Sequence, residues 1–130
     1  MSAMIASAHG RAFEWGSFDC CLWACDVVEA LTGVDPAAPF RGRYKSKRGA
    51  FVALKRFAGG GMLETARKIA DDLSCPEVPV KTARRGDVVL LERDDGPALG
   101  VCVGKDVAAA SLTGLCLVPL KEASHAWRVG

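Results

Sequence analysis

The pattern of apolar residues in this 130-residue chain changes near residue 74. Before that point, apolar side chains recur at the three- and four-residue spacing of amphipathic helices. After it, short apolar segments alternate with turns rich in Gly, Asp and Lys, which is typical of antiparallel strands. Helices first and strands second predict an α+β fold, with N-terminal helices packed on a C-terminal antiparallel β-sheet. We expect one domain over residues 1–130, because no repeat or long linker divides the chain.

The ends of the predicted elements are marked by capping and breaking residues. Asp19 is a favourable N-cap and Gly33 a favourable C-cap for the most apolar helix, and the glycines that start at Gly59 end the next one. The segment 35–49 contains two prolines and five basic residues, so it is predicted to be an exposed loop. The predicted helices lie within residues 3–12, 20–32, 50–58 and 62–73, and the four or five predicted strands within 86–92, 98–104, 107–112, 114–120 and 125–129.

The charge and the apolar runs limit the classes of function. With 17 basic and 15 acidic residues, the net charge of +2 gives no reason to predict binding to nucleic acid or to a membrane surface. No apolar run is long enough to span a membrane, and the N-terminus lacks the pattern of a signal peptide, so we expect synthesis in the cytoplasm. The six cysteines are expected to be free thiols without the paired spacing of zinc ligands, and no metal or cofactor is predicted.

Cys20 is the candidate nucleophile, because it is predicted to be the first residue of a helix. Unpaired backbone N–H groups and the helix dipole favour a thiolate there, whereas the neighbouring Asp19 carboxylate disfavours it. Trp15 and Gly16 are expected to form a tight wall beside the thiol, with Gly16 allowing close approach of the backbone. The other cysteines of this helix, Cys21 and Cys25, lie four residues apart and are predicted to be in the core.

Two sequence segments resemble the motifs of a known peptidase family. "FEWGSFDCCLW" resembles the nucleophile motif of the NlpC-type cell-wall cysteine peptidases, and "RRGDVVLLERDDGPALGVCVG" resembles the strand pair that follows it in that family. The resemblance implies a papain-like α+β fold with Cys20 at the nucleophile position. Four segments are similar to a branch of this superfamily from phage and prophage tail gene clusters: "DCCLWACDVVEALTGVDPAAPFRGRY", "GDVVLL", "ALGVCVG" and the terminal "AWRV". That branch implies a place in the virion tail and other tail proteins as partners.

The chain departs from the family pattern at the catalytic base. The resemblance places Ala98 where the peptidases have a histidine, and the next strand offers only Ser111 to orient such a base. The chain has two histidines, His9 and His125. His9 is expected to be a solvated surface residue, and His125 would have to reach across the sheet to serve Cys20. Loss of a positioned base typically costs a factor of about 100 to 10,000 in rate.

Three functional hypotheses remain open from the sequence. The first is a structural or assembly protein of a phage tail with an incomplete catalytic site. The second is an active peptidoglycan peptidase or amidase in which Cys20 attacks a peptide carbonyl and His125 acts as the base. The third is a module that binds peptide or glycan in the old cleft, lined by Trp15, Gly16, Asp19 and Ala98. A basic run is a candidate binding site for an anionic partner, and its members are Arg41, Arg43, Lys45, Lys47 and Arg48.

Overall fold

The computed structural model describes residues 2–8, 11–94, 96–112 and 114–129, and it has the predicted order of helices followed by strands. The helices are α1 (Ser2–Ala8), α2 (Cys20–Thr32), α3 (Lys47–Ala58) and α4 (Met62–Asp72). The strands are β1 (Glu77–Val78), β2 (Val88–Arg93), β3 (Gly96–Cys102), β4 (Asp106–Ser111), β5 (Gly114–Pro119) and β6 (Ala123–Trp127). The α+β prediction is therefore confirmed.

The strands form one antiparallel sheet in the order β1-β6-β2-β3-β4-β5. Sequence analysis missed β1, because this strand of two residues lies between Pro76 and Pro79. The C-terminal strand β6 inserts between β1 and β2. As a result, Leu90 of β2 lies between Leu99 of β3 and His125 of β6 in the pairing register.

The two faces of the sheet are covered differently. All four helices contribute to a hydrophobic core with one face, where Leu90, Leu99 and Trp127 are buried. The other face carries a smaller cluster that includes Val89 and Leu91, and two single turns of 3-10 helix, at 80–82 and 120–122, contribute residues to it. The main core therefore lies between the helices and the sheet. Among the described helices, none is long and apolar enough to cross a membrane.

The caps of α2 form as the sequence predicts. The Asp19 carboxylate accepts a hydrogen bond from the backbone N–H of Leu22 at 2.9 Å, and Gly33 ends the helix at φ 81° in the left-handed region. The N–H of Gly33 donates to the Glu29 carbonyl, which satisfies a free acceptor of the last turn. The caps set the position of Cys20 as the first residue of the helix.

The prediction of an exposed loop over residues 35–49 is wrong in two respects. Helix α3 begins at Lys47, because the Ser46 hydroxyl accepts a hydrogen bond from the backbone N–H of Gly49 and caps it. In addition, Phe40 and Tyr44 are buried in the main core. The basic residues of this segment thus surround two aromatic side chains that anchor it to the protein.

Candidate functional site

The Cys20 thiol is half-buried at the start of α2 and faces the backbone of β3. Burial of the thiol, and then the negative charge of Asp19, raise the pKa of Cys20 from 9.0 to about 11. Hydrogen bonding to the backbone N–H groups of Leu99, Cys21 and Cys20 itself lowers this pKa but does not outweigh the two other causes. The activation that a helix N-terminus can provide is therefore overridden, and the thiol is protonated at neutral pH.

Cys21 and Cys25 occupy the core, as predicted from their spacing. A hydrogen bond between the two side chains, together with burial, raises the pKa of Cys21. All six cysteines are free thiols. Within the described parts of the chain, no group of three or more His, Cys, Asp or Glu side chains could hold a metal ion.

Asp19 is buried and uses both of its carboxylate oxygens inside the protein. Oδ1 accepts from Leu22, while Oδ2 accepts from the backbone N–H of Gly16 at 3.1 Å and from the Tyr44 hydroxyl at 2.6 Å. Burial and the Asp19 charge raise the pKa of Tyr44, so the phenol stays protonated and donates. Sequence analysis assigned no role to Tyr44 at this site, because the partner lies 25 residues away along the chain. Both oxygens of the carboxylate therefore accept structural hydrogen bonds.

Gly16 allows a close backbone approach, but the partner is Tyr44. At its φ of 88°, an added Cβ would collide with the Tyr44 carbonyl oxygen. Trp15 is half-buried and packs against the edge of Phe13, with ring centroids 4.8 Å apart. The turn before α2 therefore clamps the loop that carries Tyr44.

Ala98 and Leu99 occupy opposite faces of β3. Leu99 pairs with Leu90 and lies on the face covered by the helices, whereas Ala98 pairs with Leu91 on the other face. The Cys20 thiol meets the backbone of Leu99, so the position where the resemblance expects a histidine is one residue from this contact. Neither a methyl nor an isobutyl side chain can accept the thiol proton.

His125 lies on β6 and is separated from β3 by β2. Two inter-strand spacings put its backbone about 10 Å from that of β3. Its Nδ1 is 3.0 Å from the Ser124 hydroxyl, and its ring stacks on Trp127 at a centroid distance of 6.0 Å. The Ser111 hydroxyl donates to the Gly114 carbonyl in the β4–β5 turn. The structure thus does not bring these side chains together with Cys20, and His9 lies outside the described residues.

The basic run consists of Arg41, which is held by two carboxylates, and four residues whose side chains are exposed. Arg41 lies 2.7 Å from Asp26 and donates two hydrogen bonds of 3.0 Å to Asp35. These bonds lower the pKa of Asp35, whereas burial raises that of Asp26. The side chains of the other four predicted residues are exposed: Arg43, Lys45, Lys47 and Arg48. Arg41 belongs to the internal structure of the loop.

A second buried carboxylate, Asp87, lies at the start of β2. It accepts from the backbone N–H groups of Arg84 at 2.8 Å and Val129 at 3.1 Å, and from Arg128 Nε at 3.0 Å. Sequence analysis noted the Gly-Asp pair only as part of the family resemblance. Asp87 joins the C-terminal segment to the beginning of β2, so it holds the end of β6 beside β2.

Fold and site together define an α+β protein in which an Asp-Cys pair starts a helix that packs on an antiparallel sheet. The family model described as a domain of unknown function, DUF6950, matches residues 1–129. The chain therefore belongs to the DUF6950 family. A comparison with curated proteins found no match.

Proposed function

We propose that this protein is a structural or assembly component of a phage or prophage tail, built on an NlpC-type, papain-like scaffold that has lost peptidase activity. The proposal has two parts, the scaffold with its inactive site and the tail context. Each part has its own support and its own test.

The order and packing of the motifs support the scaffold. The Asp-Cys motif starts α2, and this helix packs on β3, one strand of the pair that carries the second motif, and on the neighbouring β4. A cysteine at the start of a helix that faces a strand is the arrangement that a papain-like hydrolase needs for its nucleophile and base.

The main support for an inactive site is the environment of the Cys20 thiol. This thiol has a pKa raised to about 11, and its contact on β3 is the backbone of Leu99, while the Ala98 methyl lies on the opposite face of the strand. A peptidase of this type needs an imidazole at that point to take the proton and stabilise the thiolate. Asp19 is no substitute, because its two oxygens already accept three hydrogen bonds and its charge opposes thiolate formation.

The tail context is supported by the sequence resemblance to tail-cluster proteins. Under this proposal the chain is made in the cytoplasm and becomes part of the virion, with other tail proteins as partners. An inactive hydrolase scaffold can have such a role, because assembly needs surfaces that bind other proteins and needs no catalytic site.

Incubation of the purified chain with bacterial peptidoglycan tests the inactive site. We expect no release of muropeptides by mass spectrometry, with an active NlpC-type peptidase as the positive control. Release by the wild type that disappears in Cys20→Ala would overturn this part. Proteomics of purified phage particles tests the tail context, which requires the chain to be present in tails and is contradicted by its absence from them.

A further inference from the structure

The positive charge of the chain is concentrated in the segment 36–63. This segment contains seven of the 17 basic residues and none of the 15 acidic ones, so the remainder has ten basic against 15 acidic residues. The net charge of +2 is therefore the sum of a strongly positive segment and a negative remainder of the chain. A local field of this kind attracts a partner of the opposite charge.

A groove runs between α3 and the loop before it, within this segment. Its volume is about 730 Å³. One wall is a row on α3 at four-residue spacing, Arg48, Val52 and Arg56, and the opposite wall includes Arg43 and Phe40. Sequence analysis missed Arg56, although the spacing of this row is visible in the sequence.

The three arginines of the groove are exposed and carry no acidic neighbour in its lining. Among the described residues, none forms an ion pair with Arg43, Arg48 or Arg56, in contrast to Arg41, which is held by Asp26 and Asp35. Accessible apolar side chains line the same groove: Val52 is 43% exposed, and the half-buried Phe57 packs against Phe40. The groove therefore combines unpaired cations with an apolar floor.

We infer that this groove binds an acidic segment of a partner protein that carries apolar side chains between its carboxylates. Guanidinium groups bind carboxylates in a two-pronged geometry, and the apolar floor accepts the intervening side chains. The inference goes beyond the proposed function, because it depends neither on Cys20 nor on the tail context.

The shape of the groove favours a protein segment over nucleic acid. Sites for single-stranded nucleic acid present open aromatic faces on which bases stack. Here Phe40 is buried, Tyr44 donates its hydroxyl to Asp19, and Lys68 lies 5.2 Å from the Phe57 ring centroid. A concave groove also fits a projecting peptide side chain better than a flat bilayer surface.

Fluorescence anisotropy with two labelled 12-residue peptides tests the inference on the full chain. One probe contains eight glutamates with four interspersed leucines, and the other replaces each leucine by serine. We expect the leucine peptide to bind at least threefold more tightly, because only it uses the apolar floor. We also expect Arg48→Gln combined with Arg56→Gln to weaken its binding about tenfold, as the product of two exposed ion pairs.

Arg84→Gln combined with Lys81→Gln is the matched control, since it removes the same charge from exposed positions outside the groove. It should change the dissociation constant of the leucine peptide less than about twofold. Circular dichroism checks that both double variants are folded. Equal effects of the two double variants, or equal binding of the two peptides, would overturn the inference. Tighter, Arg48- and Arg56-dependent binding of a 12-residue oligo(dT) or of phosphatidylglycerol vesicles would overturn it as well.

Discussion

Asp19 and Asp87 are both buried carboxylates at the start of an element, yet they are stabilised by different groups. Asp19 is 1% exposed and accepts from two backbone N–H groups and the Tyr44 hydroxyl, all of them uncharged. Asp87 is 2% exposed and accepts from two backbone N–H groups and the Arg128 guanidinium. One site thus has a cation and the other has none.

The difference follows from the element that each residue precedes. Asp19 caps α2, where the helix dipole and free N–H groups favour a negative charge. Asp87 precedes a strand, whose end has no comparable dipole, so the C-terminal segment supplies a cation. Both aspartates belong to segments that resemble peptidase motifs, and both are fully used in holding the fold together. An aspartate that matches a peptidase motif can therefore have a structural role without taking part in catalysis.

Removal of the Asp87 carboxylate should have the largest effect. Asp87→Ala leaves Arg128 and two backbone N–H groups without their acceptor, and breaking a buried ion pair in this way costs about 3 kcal/mol. Urea unfolding followed by circular dichroism measures this loss. Asp94→Ala, at an exposed turn residue, is the control and should stay within about 0.5 kcal/mol of the wild type. A loss below about 1 kcal/mol for Asp87→Ala would mean that the cation contributes little.

Removal of a single neutral donor from Asp19 should cost less. Tyr44→Phe deletes one hydrogen bond to a buried carboxylate, and we expect the free energy of unfolding to fall by about 2 kcal/mol. A double-mutant cycle with Asp19→Asn separates this bond from other effects of the substitutions. A coupling energy near zero would contradict the direct role of the hydroxyl in stabilising Asp19.

The smallest predicted effect concerns the Cys20 thiol, which lies next to Asp19. Its reactivity should depend on pH in the way that its raised pKa requires. Because the thiol pKa is raised to about 11, the folded protein holds this proton more tightly than the unfolded chain, whose thiol has a pKa of 9.0. The resulting stabilisation is present below pH 9.0 and is lost as the pH rises through about 11. Iodoacetamide labelling of Cys20, followed by peptide mass spectrometry, should accelerate about tenfold per pH unit up to pH 10 without levelling off.

Two controls sharpen the labelling experiment. The same peptide in urea-unfolded protein should begin to level off near pH 9.0, the ordinary value for this thiol. Asp19→Asn should lower the pKa of Cys20 only in part, because burial is the larger cause. Levelling off below pH 8 in the folded protein would indicate an activated thiolate and would favour the peptidase hypothesis.

The elements and their ends were predictable because they depend on neighbours within a few residues. The Asp19 and Gly33 caps, the position of Cys20 and five of the strands follow from such local rules. Strand β1 was missed, since two residues between prolines have no detectable periodicity. The start of α3 was placed too late because the Ser46 cap was not recognised.

The candidate site was predictable only in part. The sequence identified Cys20 and the basic run, but it gave no sign that Arg41 is held by Asp26 and Asp35. The direction of the thiol pKa shift depends on burial by elements that are distant in sequence. The position at a helix N-terminus alone suggested a lowered pKa, which is the opposite direction. Arg56 could have been found from its four-residue spacing to Val52 and Arg48, but the predicted basic run ended at Arg48.

By itself, the sequence determined the order of helices and strands, the two caps of α2 and the placement of a cysteine at a helix start. Tertiary structure alone decided that Tyr44 donates to Asp19 across 25 residues and Arg128 to Asp87 across 41. It also decided that Leu99 and Ala98 face opposite sides of β3 and that His125 lies two strands away. The physical reason is that capping and periodicity act within a turn or two, whereas burial and partner choice depend on how the finished elements pack.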